Sequence, residues 1–488
     1  MLKQVQNTQN DDFTDTGMRN YFTADNLGYF LTRYSTEKTD VSVGADKKQL
    51  LVDSIIPSDT LAIGGIGAQI FTDRGTLIDF QSMTVNCILG QNDPWVKMQQ
   101  IAYLLSDRPS FHTTKLGSEL YYSLPERVAA IGLAGIKNPV ISHRQCNGSD
   151  VVEHAIKAAK SYGKNRELIV SFLGSYHGQN LTAFSVSDVQ KKHIFLAHTQ
   201  SVIYFQAPDG VARIDDPAGL TPREIESLKR LRQIGSNVFA VILEPIQMNN
   251  GVQPFSAAYL RELKAVCDEL DICLIFDEVQ TGFGWLGKLS AAEYHGVSPH
   301  IAAFGKAVTA GNGPLAFSVA EKRFQHMEYG TASKTNGADV RSIVSAHAVM
   351  DRLLGIDAAL IPDFLNETLK HQLSTGLLSS VPDTSSALWS TMEVVKQQCP
   401  GTIGKLKGGG LICGVEILNA SGEPDCALAD LIVEDCFEYG LFLRKSQHVL
   451  IVKVPMVITH QELEDGCEIL LQSIQRQARA HKKEAAYA

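Results

Sequence analysis

Positive charge is in short supply in this sequence. Among 488 residues, 44 Lys and Arg stand against 53 Asp and Glu, a formal net charge of −9. That balance excludes broad binding to nucleic acid or to an anionic membrane, and leaves room only for a local basic pocket holding a small anion. Long apolar runs are missing too, and none is long enough to span a bilayer. The polar start MLKQVQNTQNDDF lacks the apolar segment of a signal peptide. The nine cysteines contain no C-x-x-C pair and are odd in number. Reduced, mostly buried thiols in a cytoplasmic protein are therefore expected, and no metal is. No G-x-x-x-x-G-K-[ST] loop occurs, and GGIGAQ from Gly64 lacks the third glycine of a dinucleotide fingerprint. There is no internal repeat and no low-complexity segment.

What is present reads as an ordinary globular composition, 44% hydrophobic and 20% charged. The length predicts two or three domains with a large core. Around Asp73-Arg74-Gly75, two short apolar stretches predict a hairpin. Residues 95–135 read as helix in pieces, broken near Pro109 and Pro125. Beyond them, strand-like and helical runs alternate. Val151, Val152, Ala155, Ile156 and Ala159 fall on one helical face. Leu168 to Leu173, Ser201 to Phe205, Phe239 to Leu243, Cys273 to Phe276 and Ile301 to Phe304 read as strands, and Tyr259 to Leu270 as an amphipathic helix. This alternation predicts an α/β fold with a mostly parallel sheet. After about residue 345 come helical runs and then strands at Leu411 to Ile417, Leu441 to Leu443 and Val449 to Val454, which predict a smaller α+β domain.

Four places could carry chemistry. Asp277 ends the apolar run of LIFDEVQTGFG, at the carboxyl end of a strand, where parallel sheets bind ligands. A carboxylate there needs a cation or hydrogen-bond donors, and a protonated pyridine nitrogen would be such a partner. Capping of the following turn is the plain alternative. Lys306 lies 29 residues further on, after another apolar run and ahead of a glycine-rich stretch. Desolvation there would favour the neutral amine that imine formation needs, whereas a lone lysine is more commonly a solvated surface group. Gly148 and Ser149 open a helix, whose N–H groups and dipole suit a phosphate, although Ser149 or Asp150 could simply cap it. Tyr176, in FLGSYHG, could stack on a flat ring or serve as a core aromatic.

Taken together, GSDVVEHAIKAAKSYG from Gly148, SYHG from Ser175, EPIQ from Glu244, IFDEVQTGFG with GKLSAAEYHGVSPHIAAFGKA behind it, and GNGPLA from Gly311 resemble the class III (ω-) aminotransferases. These are pyridoxal 5'-phosphate (PLP) enzymes of the aspartate aminotransferase fold, and the similarity runs from about residue 65 to 470. It implies a large PLP-binding domain with a seven-stranded-type sheet, at residues 91–345. It also implies a small domain built from both termini, residues 1–90 and 346–488. Lys306 would be the Schiff-base lysine and proton shuttle, and Asp277 would pair with the pyridinium nitrogen. Gln280 would bond the phenolic oxygen, Gly148 and Ser149 the phosphate. Tyr176 would stack on the ring with His177 behind it, and Glu244 would stand near the cofactor. The implied reaction moves an amino group from an amine or amino-acid donor to a carbonyl acceptor in ping-pong fashion, in a homodimer. The fold also serves racemases or epimerases, decarboxylases and aminomutases, and a non-catalytic PLP-binding protein is an alternative of another class.

Three departures from the family pattern bear on substrate. The run that supplies a phosphate-binding threonine from the neighbouring subunit reads GTASKTNG, Gly330 to Gly337, with Ala332 at the threonine's place, so Thr331 or Ser333 would have to substitute. Gly-Arg-Thr-Gly becomes Gly284-Trp285-Leu286-Gly287. The arginine that grips a substrate carboxylate gives way to Lys453, a point charge without the bidentate fork. Lys453 and Trp285 are accordingly expected at the substrate, and an unusual acceptor from a specialised biosynthetic pathway is implied.

Overall fold

A computed structural model describes residues 60–113, 115–189, 201–207, 209–328, 330–331 and 334–487. Of the first segment assigned to the small domain, residues 1–59 thus lie outside the described residues, as do Ala332 and Ser333. The chain opens with an antiparallel meander, β1 (Ala62–Ile66), β2 (Gln69–Thr72) and β3 (Gly75–Asp79). The hairpin expected around Asp73 is the β2–β3 turn.

The large sheet takes β4 (Pro139–Gln145), β5 (Leu168–Phe172), β6 (Ser201–Phe205) and β7 (Val238–Leu243). A two-residue pair, β8 (Ile246–Gln247) with β9 (Gln253–Pro254), follows outside it. The sheet is completed by β10 (Cys273–Asp277), β11 (Ile301–Phe304) and β12 (Ala316–Glu321), in the order β4-β12-β11-β10-β7-β5-β6. All are parallel except β12, which runs antiparallel to both its neighbours. The central strands β7, β10 and β11 are buried along their whole length, as expected where helices cover both faces.

Helix Gly148–Tyr162 shows why one face is so covered. Asn147 caps it by accepting the Asp150 N–H at 3.0 Å. Its apolar stripe, including Val151, Val152, Ala155, Ile156 and Ala159, packs on Ile169, Ile242, Ile275 and Ala303 of the sheet. Each fully buried Val or Ile side chain there contributes roughly 1.5–3 kcal/mol. Pro125 departs from its expected role as a breaker. It sits inside helix Glu119–Ala130, which runs through it. Leu124 and Val128 on either side are fully buried, and this packing outweighs the one hydrogen bond that the proline cannot donate.

The smaller α+β domain holds β13 (Ile403–Gly409), β14 (Ile412–Ile417), β15 (Leu441–Phe442), β16 (Arg444–Ser446) and β17 (Val449–Lys453). Four of these form an antiparallel sheet in the order β13-β14-β17-β16, while β15 pairs with β3 of the opening meander. Strand β15 thus joins the C-terminal part of the chain to the opening meander. Among the described residues no helix is long and apolar enough to cross a membrane.

Candidate active site

The parallel strands all point their carboxyl ends the same way, so the residues just beyond them converge. Asp277 closes β10, Glu244 follows β7, Tyr176 and His177 follow β5, Lys306 follows β11 and Gly148-Ser149 follow β4. All of them line one cavity of about 380 Å³, together with Gln280, Thr84, Asn249 and Arg444. A larger cavity, about 530 Å³ between helix Glu119–Ala130 and the edge of the large sheet, carries none of the expected site residues.

Asp277 is nearly sealed, at 5% exposure. One carboxylate oxygen is held 2.8 Å from His177 Nδ1, and the other accepts the Val279 N–H at 3.1 Å. The His177 backbone is fixed in turn by donating to Ser187 Oγ at 2.8 Å. Two restraints thus aim one buried anion at the cavity. Glu244 Oε1 accepts the Tyr176 N–H at 2.8 Å, while Oε2 is buried without a partner among the described residues. Burial, and then the charge of Asp277, push the Glu244 carboxyl well above its ordinary range. Lys306 experiences the opposite. Burial, then the Arg444 guanidinium, bring its amine down to about 8 against the pull of Asp277 and Glu244.

At the start of helix Gly148–Tyr162, the N–H groups of Gly148 and Ser149 take no partner among the described residues. Ser149 Oγ accepts the Gln179 N–H at 3.0 Å. Gly178 closes over the same spot: its φ is +123°, and a Cβ there would meet Ser149 Oγ at 2.3 Å. The donor set, a helix start with free N–H groups at one end and a buried carboxylate at the other, fits a phosphate-bearing pyridine. Lys306 between them has an amine easily made neutral. His177 Nε2 and Arg444 Nε, on residues that line the cavity, are buried without a hydrogen-bond partner among the described residues.

The substrate-contact expectation is corrected. Lys453 and Trp285 do not meet the cavity; both are fully buried behind it. Lys453 Nζ donates to the Gln280 carbonyl and lies 4.1 Å from the Trp285 ring centroid. The cause is position: Lys453 ends β17 facing the interior, paired with Ile412 of β14. Thr331 is exposed, donates to Glu328 O at 2.6 Å and does not line its own chain's cavity.

Arg444 was not foreseen. It opens β16, directly after the apolar run Leu441 to Leu443, and so carries the same strand-end signature that singled out Asp277 and Lys306. Its Nη1 lies 3.4 Å from Asn249 Oδ1 and its Nη2 3.5 Å from Gln280 Oε1. Both are neutral acceptors at the long limit of a hydrogen bond. Thr84 was missed as well. It reaches the cavity from the turn Ser82–Val85, whose four residues all have left-handed φ, 49°, 45°, 58° and 72°.

The aminotransferase class-III family model matches residues 72–474. An alanine/serine racemase of Pyrococcus horikoshii is 30% identical over 345 residues, 67% of this chain and 68% of its own. An acetylornithine aminotransferase of Synechocystis is 26% identical over 457 residues, covering 89% of this chain and 95% of its own. Among solved structures, an S-selective transaminase from Arthrobacter superposes with a TM-score of 0.74 at 19% identity, over 87% of this chain and 94% of that one.

Proposed function

The chain belongs to the aminotransferase class-III family, the PLP-dependent transaminases, and from that premise we propose how its own cavity does their work. Bound there, the cofactor would supply an electron-withdrawing ring that lets an amino group leave one carbon skeleton and join another. Lys306 would hold it and afterwards move the proton at the reacting carbon, a task suited to an amine brought down to about 8. Asp277, fixed by His177, would keep the pyridine nitrogen protonated. Gln280 would hold the phenolic oxygen, Gly148 and Ser149 the phosphate, and Tyr176 the face of the ring. The observation that carries this reading is the meeting of Lys306 and the His177-braced Asp277 in one cavity with an open helix start.

Arg444 sets the substrate class. It has no carboxylate within ion-pair distance among the described residues, and the acid whose charge acts on it, Glu244, is pushed toward the neutral form. An uncompensated guanidinium facing the cavity calls for a carboxylate on the donor or acceptor. We also propose a homodimer in which the Gly330–Gly337 run, with Thr331, reaches the partner's phosphate site. The boundaries at residues 90 and 345 and a cytoplasmic setting belong to the same reading, the latter supported by nine unpaired cysteines, six of them buried.

Borohydride reduction of the PLP-loaded protein followed by peptide mapping tests the attachment, and cofactor on any lysine but Lys306 would refute it. The likeness to a racemase favours one second reading. A transaminase given donor and no acceptor releases one equivalent of carbonyl product per site, whereas a racemase returns only the mirror-image amine.

A further inference from the structure

Lys453 is a lysine where none is needed for packing. It is fully buried, and among the described residues no carboxylate stands within ion-pair distance of it. A methionine of similar length would fill the space without desolvating an amine. What the amine does instead is donate to the carbonyl of Gln280, with the Trp285 ring beneath it at 4.1 Å. The same residue's backbone grips a second element. Its N–H donates to Phe80 O at 2.6 Å, and its carbonyl accepts Ser82 Oγ at 2.7 Å.

These contacts join the two walls of the catalytic cavity. Gln280 belongs to the turn after β10 in the large sheet, and its side chain lines the cavity next to Asp277. Ser82 begins the left-handed turn that carries Thr84 into the cavity from the other side. Every residue of that turn has a Cβ and resists the conformation, so it persists only where the surroundings hold it. We propose that Lys453 is a positioning residue: an internal strut that holds Gln280 on one wall of the cavity in register with the Ser82–Val85 turn on the other. This rests on the cofactor reading of the same cavity.

The chemistry of the strut agrees. Burial, then the nearby charges of Lys306 and Arg444, push the Lys453 amine well below the usual lysine range. Both effects favour the neutral amine, which still donates to the Gln280 carbonyl. Being an amine on a flexible stem, it reaches a carbonyl that no backbone N–H serves among the described residues.

The test uses the full-length chain loaded with PLP. In Lys453→Met the Gln280 carbonyl loses its donor, so PLP dissociates about tenfold more readily and the visible band of the bound cofactor shifts. Lys453→Gln, which restores an N–H donor, recovers part of both. Ser82→Ala loosens only the Thr84 wall: the donor's KM rises severalfold, while kcat and the visible band stay at wild-type values. If Lys453→Met keeps the wild-type band, PLP affinity and KM, the strut is overturned whatever its melting temperature. Should that variant fail to fold, Lys453→Gln and Ser82→Ala decide, and a wild-type KM in Ser82→Ala overturns the proposal. Failure of the underlying reading looks different, because then the unmutated chain carries no PLP on Lys306.

Discussion

Replacing Arg444 by methionine removes a charge from the cavity while keeping most of the side chain's length. Among the described residues the guanidinium is engaged only by Asn249 Oδ1 and Gln280 Oε1, at 3.4 and 3.5 Å, and Nε has no partner. Little is therefore lost on the protein side. On the proposed role of Arg444, what would be lost is the bidentate grip on a substrate carboxylate. A hydrogen bond to a charged partner contributes about 1.5–3 kcal/mol, and two from one fork, not fully additive, about 3 kcal/mol together. At 1.4 kcal/mol per decade, kcat/KM for a carboxylate-bearing donor should fall roughly 10²-fold. The assay compares an amino acid with the amine of the same chain lacking the carboxylate, in single half-reactions. The plain amine should change less than about threefold, since it never used the fork. A second readout is independent of substrate. Arg444 is, after burial, the main cause that lowers the Lys306 amine, so its removal should shift the pH dependence of PLP capture by the apoprotein upward. Equal losses for both donors would refute the reasoning and place Arg444 in support of the cofactor or the fold.

Three further outcomes follow from the same geometry. In the apoprotein, Lys306 is neutral above about 8, so the rate of PLP capture should rise with pH up to that point and level off. A stopped-flow profile still climbing beyond pH 9 would contradict it, because an ordinary lysine titrates near 10.4. Asp277→Asn keeps the shape but removes the anion braced by His177; single-turnover rates should drop by about 10³-fold while Lys306 still holds PLP, and a loss below tenfold would argue against the pyridinium role. Burial pushes the Glu278 carboxyl up to about 7, against hydrogen bonds from Thr281 and the N–H groups of Ala291 and Ala292. A folded pKa above the unfolded value means that stability is highest at low pH and falls as pH rises through about 7, by roughly 3 kcal/mol at 1.36 kcal/mol per pH unit. Glu278→Gln should lose that slope in urea unfolding at pH 5 and pH 8.

What the sequence disclosed follows from how each element is stabilised. Strands β5, β7, β10 and β11 are buried on both faces, so they appear as short unbroken apolar runs. Their carboxyl ends are therefore legible, and they point to Asp277 and Lys306. Strand β4, PVISHRQ, lies at the sheet edge with a half-buried first part, and its mixed polarity hid it. Antiparallel β12, AFSVAE, follows the glycine-rich stretch after Lys306 and carries Ser318 at its centre, so it showed no apolar run. Lys453 illustrates the opposite error. Its neighbourhood in sequence suggested a substrate contact, but whether a strand-end cation faces the cavity or the core depends on register between β14 and β17, which no local pattern encodes.

The turn Ser82–Val85 was the least legible part of the site, and its physics explains why. Left-handed backbone is usually signalled by glycine, yet the four residues here are Ser, Met, Thr and Val. At about 1–2 kcal/mol each, the conformation is costly and local sequence opposes it. Tertiary contacts impose it. Asp79 accepts the N–H groups of Gln81 and Met83 at 2.9 Å each, even though burial raises its carboxyl to about 6 against those bonds. Ser82 Oγ and the Phe80 carbonyl are both tied to the Lys453 backbone. Strain of this kind points from structure to function. The segment between β3 and the next helix cannot relax into a right-handed turn without withdrawing Thr84 from the cavity wall and releasing the strand that carries Lys453. A residue whose chemistry was misplaced by sequence and a turn whose shape was invisible to it are thus two ends of one arrangement, and both become intelligible only once β17 is seen to run behind the cavity that Asp277 and Lys306 line.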